Sequence, residues 1–441
     1  MTDPGGAGPA TWHRLHPLSP IIRAGRSLVA IVVVFGGTLL PGAQGGRDSV
    51  VWHLLSAGAL AALGAVSWWV TRWRIQDGVL RIETGVIRHS SMRFPLTQIQ
   101  AIDTVRPALA RVVGLAELRL RMGGSTGGAG RLAYLPAGQA DVIRARLLAL
   151  ASGQAEDSPE PGEVILISVP IGRLLGSILL SWLTLLVAAL LTALIVLAVL
   201  APAAVGAVIG SSGASGIGLV TLLWHRFNGG YRLTVAEAPD GLRLRSGLLE
   251  TSAETIPSGR VQAVRMVEPV LWRPLGWCRL EVDVAGHQRH HGENSPEGHR
   301  LRAVLPVGSH EEADRLLGRI LTDAPNDRLP APRRARLRNP VRYHNLAWGR
   351  TSTCAVTTTG RVARVTAWVP LTKVQSLRLV QGPFQRALRL ATIHLDTAGH
   401  GVHAALRDRD AGEADRLLSE LVGLCRAARR SDRPPAMAAP R

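Results

Sequence analysis

Pro257-Ser-Gly-Arg-Val-Gln262-Ala263 is one of three versions of a single heptapeptide in this chain of 441 residues. The first version is Pro95-Leu-Thr-Gln-Ile-Gln100-Ala101 and the third is Pro370-Leu-Thr-Lys-Val-Gln375-Ser376. In every version an arginine stands eleven residues after the glutamine, at Arg111, Arg273 and Arg386. Three residues further on come Gly114 and Gly276, but Arg389 in the third copy. A proline lies between glutamine and arginine each time (Pro107, Pro269, Pro383). Self-similarity of this kind marks a repeated structural unit.

Working outward, each motif is preceded by a strand-turn-strand pattern. Trp73-Arg-Ile-Gln-Asp77-Gly78-Val-Leu-Arg-Ile carries the Asp-Gly hairpin signal, and Tyr231-Arg-Leu-Thr-Val with Pro239-Asp240-Gly241 repeats it. Cys354-Ala-Val-Thr-Thr-Thr-Gly360-Arg-Val-Ala does the same in the third copy. After each motif comes more alternation, then a helical pattern at Ala140–Leu150, Glu311–Leu321 and Ala411–Cys425. Short antiparallel strands followed by one amphipathic helix describe a small α+β unit: a bent antiparallel sheet or barrel capped by its C-terminal helix.

Long uncharged stretches separate these units. Ser27–Gly46 and Ser49–Thr71 contain no charged residue, and Leu174–Trp224 runs 51 residues without Asp, Glu, Lys or Arg. A helix crosses a bilayer core in roughly 20 residues, and 51 residues of helix would measure about 75 Å. The last stretch is therefore expected to fold back, at Pro202 or within Gly210–Gly218. The reading is two helical transmembrane hairpins, four spans in all. Arginine clusters on the outer flanks (Arg14, Arg23, Arg26, Arg72, Arg74, Arg173, Arg226, Arg232), while the turns hold only Arg47 beside Asp48 or no charge at all. The positive-inside rule then puts the N-terminus and all three polar units in the cytoplasm, on a multi-pass protein of the cell membrane.

The expected organisation is a disordered N-terminus over 1–20, hairpin one over 21–71, and a first unit over 72–151. A linker over 152–170, hairpin two over 171–225 and a second unit over 226–323 follow. An Arg- and Pro-rich linker over 324–342, a third unit over 343–428 and a disordered tail over 429–441 complete the chain. Composition agrees with a folded chain. Charged residues make up 19%, below the roughly 25% of soluble domains, and Gly plus Pro (47 and 27 of 441) is too low for a low-complexity chain. The net charge of +19 is carried almost wholly by arginine, with Lys373 the single lysine. Three isolated cysteines, Cys278, Cys354 and Cys425, exclude a disulfide framework or a Cys-rich zinc site and fit a reducing compartment.

Hairpin, sheet unit, hairpin, sheet unit, third sheet unit: with the Pro95–Gly114 and Pro257–Gly276 motifs, this order resembles the bacterial pleckstrin-homology (PH)-like membrane proteins of the YdbS/YdbT type. The likeness covers roughly residues 20–428. It implies PH-like barrels and a membrane location, with no established reaction or ligand. The third copy departs from it at Arg389, which puts the geometry of that turn in question because a side chain disfavours positive φ.

The repeated residues Pro95, Gln100, Arg111, Gly114, Pro257, Gln262, Arg273, Gly276, Pro370, Gln375 and Arg386 read as scaffolding. The glutamine amide and arginine fork are expected to tie a strand to the following turn by satisfying backbone groups. Arg72, Arg74, Arg226 and Arg232 lie where anionic lipid headgroups would meet them, although the acidic hairpin turns disfavour specific phosphoinositide binding. His287, His290, His291 and His299 with Glu293 and Glu297 form a metal-capable set, but they read better as a solvated hairpin loop. Gly123–Gly130 resembles a phosphate cradle in composition only and also reads as a loop. The tail arginines Arg426, Arg429, Arg430 and Arg433 come without a nucleic-acid-binding signature, so nucleic acid is not expected as a partner. No catalytic motif is present and no span carries a mid-membrane charge. The expectation is a non-enzymatic platform without metal or cofactor. Its units would bind lipid headgroups or a membrane or cytoplasmic protein, self-association included, in envelope stress or peptide resistance. The alternative is an accessory subunit of a membrane export complex.

Overall fold

A computed structural model describes residues 13–14, 19, 72–76, 79–84, 90–95, 99–122, 130–151, 162–201, 218–239, 241–257, 259–285, 301–321, 323–325, 327–399 and 401–431. Hairpin one, the turn between spans three and four, the loops 123–129 and 287–299, and the end of the tail lie outside the described residues. The chain forms two compact units, 1–164 with 182–255 and 165–181 with 256–441. The division cuts the second repeat, its boundaries falling near the start of the strand Val164–Ser168 and the end of the strand Thr251–Pro257.

In the first unit β1 (His13–Arg14), β2 (Arg72–Gln76), β3 (Val79–Thr84) and β4 (Ser90–Pro95) form one antiparallel sheet in chain order. Its alternation sends Trp73, Leu80 and Ile82 into the core, while Arg81 stays on the other face and pairs with Glu83 at 2.9 Å. Then come β5 (Ile99–Arg106), a short helix α1 (Ala108–Val112), β6 (Leu115–Met122), β7 (Gly130–Pro136) and helix α2 (Ala137–Ala151). Ile102, Leu118, Leu120 and Leu135 from these strands meet Trp73, Leu80 and Ile82 from the first sheet, and Ala140 and Leu147 of α2 close the same core. The alternation pattern predicts a bent sheet or barrel capped by its C-terminal helix; the strands and the closing helix are present, with the strands divided between two sheets.

The second repeat supplies β8 (Val164–Ser168), helices α3 (Ile171–Leu179) and α4 (Trp182–Leu200), β9 (Thr234–Ala238), β10 (Gly241–Ser246) and β11 (Thr251–Pro257). Within the first unit the strands run β7-β6-β5-β11-β10-β9, so the sheet of copy one continues directly into strands of copy two.

The second unit repeats the scheme. It contains β12 (Val261–Pro269), β13 (Trp277–Val284), β14 (Leu301–Ser309), helix α5 (His310–Ile320), β15 (Leu329–Pro330), helix α6 (Ala335–Arg338), β16 (Ala347–Arg350), β17 (Cys354–Thr359) and β18 (Ala363–Pro370). The strands run β14-β13-β12-β18-β17-β16-β15, again joining one copy's sheet to the next. The last sheet holds β19 (Val374–Val380), β20 (Leu390–Thr397) and β21 (Ala404–Asp410), with α7 (Pro383–Ala387) between its first strands and α8 (Ala411–Ser431) after them. Ala414, Leu417, Leu421, Cys425 and Ala428 recur at helical spacing along α8 and pack on Trp348, Val369, Ile393 and Leu406. The stretch 324–342 contributes β15 and α6, with Ala331 and Ala335 buried against Leu346 and Leu390.

The start of the third expected span is described in part. The uncharged run predicts a third span beginning at Leu174, but the helix breaks at Leu180–Ser181. Its first nine residues form α3, which serves as a cap. Leu174 and Ser177 are buried, Arg173 pairs with Glu312 of α5 at 2.6 Å, and a Cβ on Gly176 would stand 3.0 Å from the Trp277 ring. Among the described residues no single helix is long and apolar enough to cross a membrane, and Ile171–Leu179 passes that test only together with Trp182–Leu197.

Candidate interaction surface

The strand after each heptapeptide begins the surface. In the first unit β5 pairs antiparallel with β11 of the next copy, at Arg106↔Thr251, Val105↔Ser252 and Thr104↔Ala253. In the second unit β12 pairs with β18 of the copy after it, from Val264↔Trp368 to Pro269↔Ala363. Both joints have one register. A residue a given number of places after the motif glutamine faces the residue the same number of places before the next motif's proline. Thr104↔Ala253 and Met266↔Thr366 are both the fourth position on each side.

The repeated arginine belongs to the same joint. A short helical turn follows β5, β12 and β19 and carries Arg111, Arg273 and Arg386 respectively. The Arg111 guanidinium donates to the Leu248 carbonyl, and Arg273 Nη2 donates to the Arg361 carbonyl at 2.7 Å. Each acceptor lies nine residues before the proline that ends the partner strand, in the turn leading into it. The arginine thus caps a backbone carbonyl, but in the following copy instead of in its own turn. The glutamines do not share this role. Gln262 Nε2 donates to the Arg260 carbonyl at 3.2 Å, Gln375 is exposed on β19, and the Gln100 side chain lies outside the described residues.

The helical turn ends in the left-handed region in all three copies, with φ of +72° at Gly114, +64° at Gly276 and +53° at Arg389. The geometry questioned for the third copy is therefore retained, with a side chain carrying it. The Arg389 carbonyl accepts from Ala411 N at 3.0 Å as the Gly114 carbonyl does from Ala137 N at 2.8 Å, so the turn still sets the start of the closing helix.

Among the described residues no strand covers the equivalent surface of copy three. β19 pairs with β20 alone, leaving Leu379 38% and Val380 42% exposed. The matching Thr104 and Met266 are 6% and 5% exposed under their partner strands. Arg386 lies in a cleft of about 370 Å³ with Arg334, Gln381, Arg389 and Asp410, where Arg334 is engaged by Asp410. Just inside, buried Asp408 accepts from Arg338, Asn339 and Gln385, locking α6 and α7 onto the sheet. Arg378 of β19 is held by two bonds to Asp396 on β20, at 2.6 and 3.0 Å. That pairing and a bond from Ser376 keep the Asp396 carboxyl down at about 2.

The remaining candidates are spread out. Arg72 and Arg74 lie on β2, Arg226 on the helix 218–230, and Arg232 in the turn after it, where its guanidinium stacks 5.9 Å from the Tyr231 ring. Pro95 and Pro370 end β4 and β18, and Pro257 ends β11. Among the described residues no cluster of His, Cys, Asp or Glu is placed to hold a metal, and the His287–His299 set lies outside them. Cys278 and Cys354 are buried, and desolvation pushes both thiols up to about 12.

Comparison with known proteins accords with this architecture. No curated protein and no solved structure matches the chain significantly. A family model for the bacterial PH domain matches three times, over residues 26–151, 164–323 and 334–423, and so covers most of the sequence. The three joined, helix-capped units and this threefold match together place the chain in the bacterial PH domain family.

Proposed function

We propose that the chain is a membrane-held, non-enzymatic interaction platform whose PH domains work from the cytoplasmic face. Repeated bacterial PH domains suggest an interaction-module role. The observation that carries the membrane part is α4. It is 19 residues long and uncharged, and Trp182, Leu190, Ile195, Val199 and Leu200 are 60–78% exposed on it. A helix that is apolar on every side has no favourable place in water, and together with α3 it makes the bent pair that has the length and apolarity of a span. The arginines flanking the uncharged stretches support the cytoplasmic orientation.

Extraction tests this reading. The chain should stay with sedimented membranes through high salt and alkaline carbonate and leave them only in detergent; release by salt alone would remove the membrane from the account. The native thiols cannot report sidedness, because all three are buried. Cysteines introduced at exposed Val142 and Arg430 should escape an impermeant maleimide in intact cells and react after lysis. Labelling of either in unbroken cells would reverse the orientation.

A further inference from the structure

We propose that the open edge of β19 is a docking strand for β4 of a second copy of this chain, making head-to-tail assemblies. The chain itself supplies the precedent twice. The strand after the heptapeptide takes the strand ending in the motif proline of another copy, antiparallel and in one register, at β5·β11 and at β12·β18. Among the described residues this leaves one donor edge without an acceptor, β19, and one acceptor edge without a donor, β4. Among the described residues β4 is the outer strand of its sheet, bonded on one side to β3.

The two edges match in length, seven residues for β19 and six for β4. Neither is defended by lysine or an internal proline, as edges usually are. The register shift on β19, between Val374 and Ser376, has counterparts at Ile99/Ala101 on β5 and Val261/Ala263 on β12, and both of those strands accept a partner. The single charge on β19, Arg378, is already occupied by Asp396 on the neighbouring strand. On β4 the facing positions are Ser90, Ser91, Met92 and Arg93, with Met92 47% exposed. The shared register sets Leu377 opposite Arg93, Arg378 opposite Met92, Leu379 opposite Ser91 and Val380 opposite Ser90. No like charges face each other, and Leu379 and Val380 lose their exposure. Because the donor and acceptor are different patches, the contact is heterologous and leaves one of each free at the ends of any assembly. This names a partner for the platform proposed above and so rests on that interaction role, but not on the membrane. Extraction and crosslinking therefore fail independently.

Directly opposed residues in an antiparallel pair lie about 4.5–5.5 Å apart at Cα, within reach of a disulfide. Full-length chains carrying Leu379→Cys or Ser91→Cys, purified in detergent and mixed, should give a covalent dimer on mild oxidation. The double variant should give a ladder. Leu379→Cys paired with Met92→Cys should crosslink several-fold less, since one residue's shift turns the side chain to the other face. Separately, Leu379→Lys with Val380→Lys should reduce the native particle from a multiple of the chain mass to a single chain. Monomers alone from the mixture, a dimer from Leu379→Cys by itself, or a purely intrachain link in the double variant would each overturn the proposal. So would a wild-type particle that is monomeric at every concentration.

Discussion

Arg389 holds at φ +53° a conformation that glycine holds in the other two copies. For a residue with a Cβ the left-handed region costs roughly 1–2 kcal/mol, partly offset because glycine is freer when unfolded. Arg389→Gly should therefore stabilise the protein by about 1 kcal/mol at most, seen as a higher denaturation midpoint; an unchanged or lower midpoint would mean that the side chain contributes more than its backbone costs. Asp396 offers a pH test. Its carboxyl titrates at about 2 in the folded chain, below the usual value of about 3.9. The pairing with Arg378 is then fully present above about pH 4 and lost as pH falls through the folded value near 2. The pair is largely exposed, so solvent screening keeps the effect small. Melting temperature should fall less steeply for Asp396→Asn than for the wild type across that interval. The spacing of glutamine, arginine and glycine is plain in the sequence, and so is the arginine's task of capping a backbone carbonyl. The position of that carbonyl, in the following copy, is not readable there, because pairing between repeats is set by sheet register and not by local spacing. One signal is present: Leu248 and Arg361 stand at the same distance before their prolines.

Strands and closing helices are the most legible elements. Their periods of two and of about three and a half residues are local properties, and α8 shows the second plainly from Ala414 to Ala428. The break in the uncharged run at Leu180–Ser181 has a physical side that the sequence does not display. Ile171–Leu179 is as free of carboxylates as the residues after it, but its Gly176 allows close approach to Trp277 and its Leu174 and Ser177 are buried, so the helix is used as a cap. Gly176→Leu should undock α3 and lower the midpoint of unfolding, while Gly172→Ala, with open space around it, should leave it in place. At the joints, Arg273→Ala removes a charged donor from an exposed carbonyl and should cost about 1 kcal/mol. Trp272, fully buried one residue away, should cost about 3–5 kcal/mol on truncation to alanine. Comparison of the two variants by denaturant unfolding separates the arginine's bond from the packing that supports it.

At the scale of the molecule, the repeats of the sequence and the compact units of the fold do not coincide. The first unit holds copy one with β9–β11 of copy two, and the second holds β12–β14 with copy three. Each of the two seven-stranded sheets is thus built from two repeats, an arrangement no single repeat's sequence could disclose. A fragment ending at 255 should keep the strand that covers β5, whereas one ending at the repeat border near 164 should bare it. Limited proteolysis followed by mass analysis should accordingly find the first cut tolerated and the second fragment prone to association.

The two seams with identical register have a further bearing on how such a chain lengthens. Another tandem duplication would require no newly invented contact: the added copy would inherit a socket for the old tail and present the same plug at its own end. Growth by duplication in this architecture is self-templating.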